Sequence, residues 1–577
     1  MVGFGLLGGW RSGWAARAPD PLFDLDAIIG DPVDYEAIES ETVEGIVFET
    51  FAFTTRLTNG APERVRGIYA YPEGGQGLPA VFWCQGGMAA ANRSFPRLFA
   101  AKGYACLVIT LPTQLRNAHR GVFDADDPRH ANLTLLARDQ LRGVTVLAQR
   151  PQVDPRRMGV GGASYGGVFA TLVAGVDPRI QAGFSFFGAG NHALGTSLPQ
   201  FLGMRSLKDV DVWNRTFDPA LRLKTRAVPF LWGLALNDNW FFFPAVARTF
   251  AEAAGDGKRL LIQPHWEHGF PPHTDQALVD FMDTTLKGTR RPYNAPGNLV
   301  VKVADGAAVA EFAWSGDNPV AHAEVVASYG ELSGWLGWRG RAAFAFPAVV
   351  ENNRARARLP IPSRDLPLFV WGSITDTNRV LTSTAPVALA RERLAGLPVD
   401  ADVVLNAFVG GAPDDEVIDL YQRHNQPLGG EPDTAVHHSA PLSLRFTPRE
   451  GAALSFTVQR LNHVPNLAHR LSVWVRAENP TPLTLSLTPV RPRAGTGLVL
   501  ALAAGEPGAK PFIPHWDDPC EPLKVNAAAD TAWREITLDV PRPTAPVDYY
   551  HLKVGPGQQA GGTWWIDSVC MQPVWPE

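Results

Sequence analysis

The pentapeptide Gly162-Ala-Ser-Tyr-Gly166 carries the most distinctive chemistry in this sequence. It stands between a predicted strand and a predicted helix, in the G-x-S-x-G spacing of a nucleophile elbow. Glycines two residues to either side of the serine let the chain turn sharply enough to present the hydroxyl. The Tyr165 backbone N–H would start the helix and face a developing oxyanion. We therefore predict Ser164 as a nucleophile and Tyr165 as an oxyanion donor.

This glycine-rich stretch has two other interpretations. An ordinary strand-to-helix connection would use the serine only as a helix cap. A nucleotide-binding loop would use Gly159, Gly161 and Gly162, but their spacing is not G-x-G-x-x-G, and no acidic ribose-binding partner is evident about 20 residues further on. The dinucleotide interpretation is therefore set aside.

A serine hydroxyl is a weak nucleophile, so it needs a histidine base and an acid that orients the histidine. After an elbow of this kind the chain order is serine, acid, histidine. Asp238 follows the next strand that ends in an acidic turn, and we predict it as the acid. An Asx turn or a helix cap would also use an aspartate, and Asn237 and Asp211 are other polar residues in this region.

Two histidines, His265 and His268, follow the next predicted strand. We predict His268 as the base because Gly269 permits a tight loop and because His268 lies far enough past the strand to reach Ser164. His265 is the alternative, and it would otherwise be a structural histidine.

The second oxyanion donor is expected in the loop after the strand that precedes the first crossover helix. Gly86 and Gly87 occupy that loop, and we predict the Gly87 N–H as the donor, with Met88 next to it. One such donor is typically worth about 10² to 10³ in turnover. An ordinary Gly-Gly turn is the alternative.

Substrate contacts are expected above the carboxyl ends of the strands. The insert of residues 191–223 belongs there, with Trp213 and other large apolar side chains, and Trp240 adjoins the predicted acid. We predict Met88, Trp213 and Trp240 as substrate-binding residues, although rings in such an insert serve packing at least as often.

The elements that position these residues alternate between strand and helix from about residue 50 to residue 290. Helix-period apolar residues are clearest over 130–150. This alternation predicts an α/β domain with a doubly wound, mainly parallel sheet. The predicted strands are residues 80–84, 104–109, 158–163, 180–186, 228–233 and 259–263.

After Pro292 short β-prone runs dominate, punctuated by Pro and Gly, as in sandwiches and barrels. Strands with alternating apolar residues, such as Leu471/Val473/Val475, each predict one buried face. Because adjacent residues face opposite ways, at most one of Trp564 and Trp565 is expected to be free for stacking. Asp567 is expected to be a solvated turn residue, with a Ca²⁺ ligand as the alternative.

The predicted domains are an N-terminal segment (1–49), the α/β domain (50–290), an immunoglobulin-like β-sandwich (297–400) and a jelly-roll-like β domain (401–577).

Composition and charge exclude several function classes. The 577 residues carry a formal net charge of −5 without a dense basic block, so nucleic acid is not expected as a partner. No apolar stretch is long enough for a membrane helix. The apolar run at the start precedes its arginines, which reverses the order of a secretory signal, so export is not encoded unless the start is wrongly placed.

The four cysteines, Cys84, Cys106, Cys520 and Cys570, are too few for a disulfide framework. Cys84 and Cys106 lie in apolar strand-like runs and are expected to be buried thiols. Cys520 and Cys570 are equally compatible with a bridge and with two free thiols. No metal or cofactor is expected.

The stretch from Glu44 to Gly288, just under half of the chain, resembles the acetylxylan-esterase and dienelactone-hydrolase-like branch of the α/β-hydrolases. This resemblance implies hydrolysis of small acyl esters, often on carbohydrates, by Ser164, Asp238 and His268, with Gly87 and Tyr165 as backbone donors. Gln85 stands where that family usually has histidine. The motifs that carry the resemblance are Gln85-Gly-Gly87, Gly162-Ala-Ser-Tyr-Gly-Gly167, Ala174-Gly-Val-Asp-Pro-Arg-Ile180, Asn237-Asp238 with Phe243-Pro244, and His268-Gly269.

An α/β domain followed by a jelly roll is also similar to cocaine-esterase and X-Pro-peptidase-like enzymes, although the insert here is shorter than their helical cap. Three hypotheses follow: a serine esterase acting on a small-molecule or carbohydrate ester, a serine peptidase or aminoacyl hydrolase, and a non-catalytic carbohydrate-binding protein on a hydrolase scaffold. The acyl group, the alcohol and the oligomeric state stay open.

Overall fold

The structure is a computed structural model. It describes residues 20–56, 61–88, 90–110, 123–192, 206–238, 240–264, 266–271, 273–330, 340–400, 405, 430–439, 442–447, 455–491, 518–545, 547–556 and 562–575.

A twisted mixed sheet forms the centre of the first half of the chain. Its strands are β1 (Glu36–Val43), β2 (Ile46–Arg56), β3 (Pro62–Pro72), β4 (Leu78–Cys84), β5 (Ala105–Thr110), β6 (Val153–Ala163), β7 (Ile180–Phe186), β8 (Phe230–Ala235) and β9 (Lys258–Gln263). They lie in the order β1-β2-β3-β5-β4-β6-β7-β8-β9. The pairs from β5 to β9 are parallel, while β1, β2 and β3 join antiparallel at one side.

Helices cover this sheet and connect its parallel strands. They are α1 (Leu25–Gly30), α2 (Ser94–Ala100), α3 (Asn132–Ala148), α4 (Tyr165–Val176), α5 (Leu207–Thr216), α6 (Ala220–Leu223), α7 (Phe243–Glu252) and α8 (Thr274–Met282), which continues as a π-helical turn (Asp283–Lys287). Every residue of α4 is buried, because this helix crosses the middle of the sheet. The expected α/β architecture is therefore confirmed.

Burial explains why the parallel strands lack alternation. All residues of β8 are buried, and so are six of the seven residues of β4. A strand covered on both faces needs apolar side chains on both faces, which is the pattern that predicted these strands. Cys84 and Cys106 are buried free thiols within this core, as expected.

The sheet begins ahead of residue 50. Strand β1 and the first part of β2 fall in the segment that the sequence set apart as residues 1–49. Seven of the eight residues of β1 are exposed, and the strand is rich in Glu, Ser and Thr, so it carries no apolar signal. Its place is fixed by backbone pairing with β2.

A second group of strands follows, and part of it continues the central sheet beyond β9. These strands are β10 (Ala295–Pro296), β11 (Val300–Ala304), β12 (Ala307–Ser315), β13 (Val320–Tyr329), β14 (Phe344–Pro347), β15 (Val349–Glu351), β16 (Arg354–Arg358), β17 (Leu368–Asp376), β18 (Leu381–Ser383) and β19 (Val387–Leu389), followed by the short helix α9 (Arg391–Leu394). Ser383 of β18 pairs antiparallel with Leu260 of β9, and its hydroxyl accepts the Ile262 N–H at 3.2 Å. Strands β17, β13 and β14 extend the sheet further, while β10, β11, β12, β16 and β15 form a separate antiparallel sheet.

The remaining strands form two antiparallel sheets. They are β20 (Glu431–Asp433), β21 (Ser443–Phe446), β22 (Phe456–Leu461), β23 (Ala468–Ala477), β24 (Thr481–Arg491), β25 (Asp518–Pro519), β26 (Leu523–Ala529), β27 (Arg534–Val540), β28 (Tyr549–Pro556) and β29 (Trp564–Val574). One sheet has the order β20-β21-β29-β23-β27, and the other has β22-β28-β24-β25, with β26 also on β24. The apolar residues of Leu471/Val473/Val475 are buried as expected. One hydrophobic core runs from Leu299 to Met571, so the core does not mark a division near residue 400.

The expectation for Trp564 and Trp565 is met, whereas the one for Asp567 is wrong. Neither indole is free for stacking: Trp564 and Trp565 are 1% and 6% exposed, and the Trp565 indole donates to Asp433 and lies under Arg476. Asp567 is buried rather than solvated, and its Oδ2 accepts the N–H groups of His438 and Ser439 at 2.7 and 3.0 Å. Cys520 and Cys570, the pair left open by the sequence, are free thiols.

The buried His469 predicts a pH dependence of stability. Burial lowers the pKa of His469 to about 3, and its Nε2 accepts the Val464 N–H at 3.1 Å. In the unfolded chain this histidine protonates near pH 6.5, so acidification below that value favours unfolding by about 1.4 kcal/mol per pH unit until the folded pKa is reached. His469→Gln keeps an acceptor but does not titrate. We expect the stability advantage of wild type over this variant to shrink between pH 7.5 and 4.5, measured as urea midpoints; a constant difference would contradict the prediction.

Candidate active site

Ser164 lies at the turn between β6 and α4. Its backbone has φ 57° and ψ −128°, a positive φ that residues other than glycine rarely adopt. The Ser164 N–H donates to the Phe186 carbonyl at 2.7 Å, and the Ser164 carbonyl accepts the N–H groups of Gly167 and Val168 at 2.9 and 3.2 Å. These bonds hold the strained turn at the carboxyl end of a central strand.

The glycines around Ser164 are required by close backbone contacts. A Cβ on Gly162 would collide with the backbone of Gly166, and a Cβ on Gly166 would collide with the carbonyl of Cys84. A Cβ on Gly86 would lie 2.7 Å from the Ala163 carbonyl oxygen. The elbow and the Gly86 turn therefore pack directly against each other.

Gly166→Ala tests this packing. The added methyl would force apart two buried backbone segments, so we expect a loss of about 3 kcal/mol or more in the free energy of unfolding, at the upper end of overpacking costs. Gly30→Ala is the matched control, since a Cβ there meets no atom within 4 Å. Denaturant midpoints measure both effects. Equal midpoints for the two variants would show that the elbow tolerates a side chain.

His268 joins Ser164 to Asp238. Its Nε2 lies 2.8 Å from the Ser164 hydroxyl, and its Nδ1 lies 2.9 Å from Asp238 Oδ2. With a proton on Nδ1 that donates to the carboxylate, Nε2 is free to accept the serine proton. The structure thus brings together the three residues chosen from the sequence.

Asp238 is fixed by its own loop. It is 1% exposed, and its second carboxylate oxygen accepts the backbone N–H groups of Trp240 and Phe241 at 2.7 and 3.0 Å. The neighbouring Asn237 N–H donates to the Trp266 carbonyl at 3.0 Å, which ties the Asp238 loop to the His268 loop. Asp211, the more distant alternative, is instead exposed and paired with Arg215.

Aromatic rings surround the imidazole of His268. The centroids of Phe187, Phe241 and Trp240 lie 5.3, 6.1 and 6.4 Å from it, and Phe241 is stacked at 15°. These rings exclude water from most of the imidazole, whose side chain keeps 21% exposure. Trp240, which is half-buried, therefore lies where a substrate contact is predicted.

The two predicted backbone donors belong to different elements, the first turn of α4 and the turn after β4. Tyr165 is the first residue of α4, so its N–H has no acceptor within the helix. Its phenol ring is buried, and burial raises the pKa of Tyr165 well above its ordinary value, so the phenol stays protonated. The backbone N–H is therefore the group that Tyr165 would offer to an oxyanion. Gly87 sits in a single 3₁₀ turn, Gly86–Met88, with φ 59° and an exposed surface.

The side chain of Gln85, the residue before the Gly86-Gly87 pair, bonds back to the strand that it follows. Its Oε1 accepts the indole N–H of Trp83 at 3.2 Å. Trp83 in turn stacks on Phe95 of α2 at 3.4 Å between ring centroids. The Gln85 side chain therefore links the start of this loop to Trp83 at the end of β4.

Trp213 occupies a different place from the one predicted. It is 1% exposed and packs on Phe217 and His192, and its indole donates to Asp218 at 3.2 Å. This burial favours a packing role over contact with substrate. Asp218 also accepts the backbone N–H groups of Asn191, His192 and Ala220 and so anchors the loop after β7.

Sequence reasoning missed Asp218 and Phe187. Asp218 shows its role only when distant segments meet around it. Phe187 had a signal, since it directly follows β7 at the edge where ligands bind.

Some predicted residues lie outside the described part of the chain. These are His265, the insert residues 193–205 and the side chain of Met88. Among the described residues, no group of three or more His, Cys, Asp or Glu side chains is arranged to hold a metal ion. No helix in the described ranges is long and apolar enough to cross a membrane.

Comparisons with known proteins agree with this architecture. Residues 127–190, which include the elbow, match the prolyl oligopeptidase family. No curated protein matches the chain.

Several solved structures are similar to just under half of this chain. An acetyl xylan esterase from Paenibacillus sp. R4 is 18% identical and has a TM-score of 0.37, over 45% of this chain and 92% of that one. Acetyl xylan esterase 1 from Thermoanaerobacterium sp. JW/SL YS485 is 17% identical, with a TM-score of 0.36 over 45% and 90% of the two chains. An S-formylglutathione hydrolase from Agrobacterium tumefaciens is 17% identical, with a TM-score of 0.34 over 44% and 98%.

The strand order, the strained serine between β6 and α4 and the family match at that elbow lead to one conclusion. This chain carries an α/β-hydrolase domain of the serine hydrolase type, followed by all-β sheets.

Proposed function

We propose that the chain is a serine esterase that cleaves carboxylic esters through an acyl-enzyme formed on Ser164. The observation that carries this proposal is a pair of hydrogen bonds at His268, whose Nε2 accepts from the Ser164 hydroxyl at 2.8 Å and whose Nδ1 donates to Asp238 at 2.9 Å. A serine at a strained elbow, bonded to an imidazole that a buried carboxylate orients, is the arrangement that nucleophilic acyl transfer needs.

The reaction begins with attack of Ser164 Oγ on the ester carbonyl carbon, while His268 Nε2 takes the hydroxyl proton. The N–H groups of Gly87 and Tyr165 would bind the oxyanion of the tetrahedral intermediate. His268 then returns the proton to the leaving alcohol, and the acyl-enzyme forms. A water molecule, deprotonated by the same imidazole, releases the acid and restores the serine.

We propose small acyl groups, of the acetyl type, on a small-molecule or carbohydrate alcohol. This narrower assignment rests on the family motifs from Gln85-Gly-Gly87 to His268-Gly269. The half-buried ring of Trp240 lies 6.4 Å from the His268 ring, and the half-buried Phe270 packs on Phe187, which also contacts His268, so these rings suit an apolar or sugar-ring contact.

A serine peptidase or aminoacyl hydrolase is the second candidate function. It is favoured by the prolyl oligopeptidase family match over residues 127–190. The same Ser164, His268 and Asp238 would act, but the leaving group would be an amine.

Hydrolysis of p-nitrophenyl esters from acetate to octanoate, beside the matching p-nitroanilides, separates these functions. We expect the acetate ester to have the highest kcat/KM and the anilides to be inert, and acetylated xylooligosaccharides to release acetate. Faster anilide cleavage would favour the peptidase. Absence of turnover on every substrate, with retained binding of a polysaccharide, would favour a non-catalytic binding protein. His268→Ala and His265→Ala should differ, with activity lost only in the first.

A further inference from the structure

An ion pair attaches the loop that carries His268 to the last β sheets. Glu267, the residue before His268, pairs with Arg460 of β22, and the two side chains keep only 29% and 21% exposure. Partial burial makes such a pair stronger than an exposed one. A residue 193 positions away in the sequence thus contacts the immediate neighbour of the base.

Arg460 is itself held in place. The pairing of β22 with β28 shifts register between Val458 and Leu461, and such an irregularity re-aims the side chains within it. The guanidinium lies 5.6 Å from the ring centroid of Tyr549, which is buried. The direction of the Arg460 side chain is therefore set by the β28 strand as well as by Glu267.

The Asp238 loop is attached to the same region by a second route. The Asn237 side-chain amide donates to the Arg341 carbonyl at 2.9 Å. Arg341 is 1% exposed, and its guanidinium donates to Ser328 and Gly330 at 2.7 and 3.1 Å.

The two routes meet three residues after Arg460. His463 forms an isolated parallel bridge with Arg341, in which His463 N–H donates to the Gly340 carbonyl at 2.7 Å and Ala342 N–H donates to the His463 carbonyl at 2.9 Å. The segment of residues 460–463 therefore supports the acid loop through Arg341 and the base loop through Glu267.

We propose that the β strands after residue 292, β10 to β29, which we call the β extension, are part of the catalytic unit. Within the β extension, Arg460 is a positioning residue for His268. This inference rests on the proposed esterase function. Arg460 touches neither substrate nor Ser164 in this role; it fixes the loop from which the imidazole reaches the serine. Loss of the ion pair should slow the chemical steps, because small displacements of a catalytic group cost large factors in rate.

Steady-state kinetics of p-nitrophenyl acetate hydrolysis test the proposal with four variants of the ion pair and one control. We expect Arg460→Gln to lower kcat about 10-fold with KM within about twofold. Glu267→Gln should give the same loss, and the double variant should be no slower than either single one, since each removes the same pair. Arg460→Lys should recover part of kcat. Arg470→Gln, which breaks an exposed ion pair with Asp539, is the matched control and should leave kcat unchanged.

Hydrogen exchange provides a readout that does not depend on turnover. Peptides covering residues 264–271 should exchange faster in Arg460→Gln than in Arg470→Gln. An unchanged kcat in Arg460→Gln, a change in KM alone, or additive losses in the double variant would each overturn the inference. If wild type itself were inert, the proposed function would fail, and the exchange experiment would still decide whether Arg460 orders the His268 loop.

Discussion

Ser164→Ala should lower kcat/KM for p-nitrophenyl acetate by about 10⁴-fold or more. The variant removes the hydroxyl oxygen that would carry the acyl group and that lies 2.8 Å from Nε2 of the base His268. Removal of the serine from such an arrangement leaves only the residual catalysis of the oxyanion donors and of substrate binding. Alanine keeps the Cβ of this half-buried residue and removes only the hydroxyl, so the fold should persist, as circular dichroism and a thermal midpoint would verify.

A covalent probe makes the same prediction without turnover. An alkyl fluorophosphonate should add one phosphonyl group to wild type, found by mass spectrometry on the peptide containing Ser164, and none to the alanine variant. Retained activity in Ser164→Ala, or labelling at another residue, would move the nucleophile elsewhere and remove the basis for the proposed function.

Asp238→Asn should lower kcat by about 10³- to 10⁴-fold while the protein stays folded. The amide oxygen can still accept the N–H groups of Trp240 and Phe241, which now bond to the carboxylate. The amide nitrogen would then face His268 Nδ1 and donate to it, which places the imidazole proton on Nε2. In that tautomer the histidine cannot accept the proton of Ser164.

Asp211→Asn is the control for Asp238→Asn. Asp211 was an alternative acid on sequence grounds, and it is exposed on α5 with Arg215 as its partner. We expect this variant to keep full activity in the same assay. Equal losses in the two variants would mean that general charge effects, rather than the tautomer of His268, explain the result.

The sequence was sufficient for the strands and loops that bear the predicted triad. Strand β8 and the strands beside it are buried on both faces, so their apolar runs are continuous, and the polar residues that end them stand out. Gly162 and Gly166 were predictable for a similar reason, since only glycine fits where two backbones touch.

Other features could not be predicted because they depend on contacts between distant segments. Strand β1 is polar and exposed, so only its pairing with β2 defines it. The sequence around Trp213 is equally compatible with a ring that faces a ligand and with a ring in the core. In the structure the Trp213 indole donates to the Asp218 carboxylate, which holds the ring in the core. Gly269 permits a tight loop, but a Cβ there would meet no atom within 4 Å, so no close contact requires glycine. The loop is closed by the Trp266 indole, which donates to the Gly269 carbonyl.

The pairing of β18 with β9 has a consequence for solubility. Leu260 and Ile262 lie in the last parallel strand of the α/β domain, and Ser383 covers its open side. If the chain were cut after residue 290, the unpaired N–H and C=O groups of an apolar strand would become an edge able to recruit strands from other molecules. We therefore expect a fragment that ends at residue 290 to aggregate more readily than the full chain.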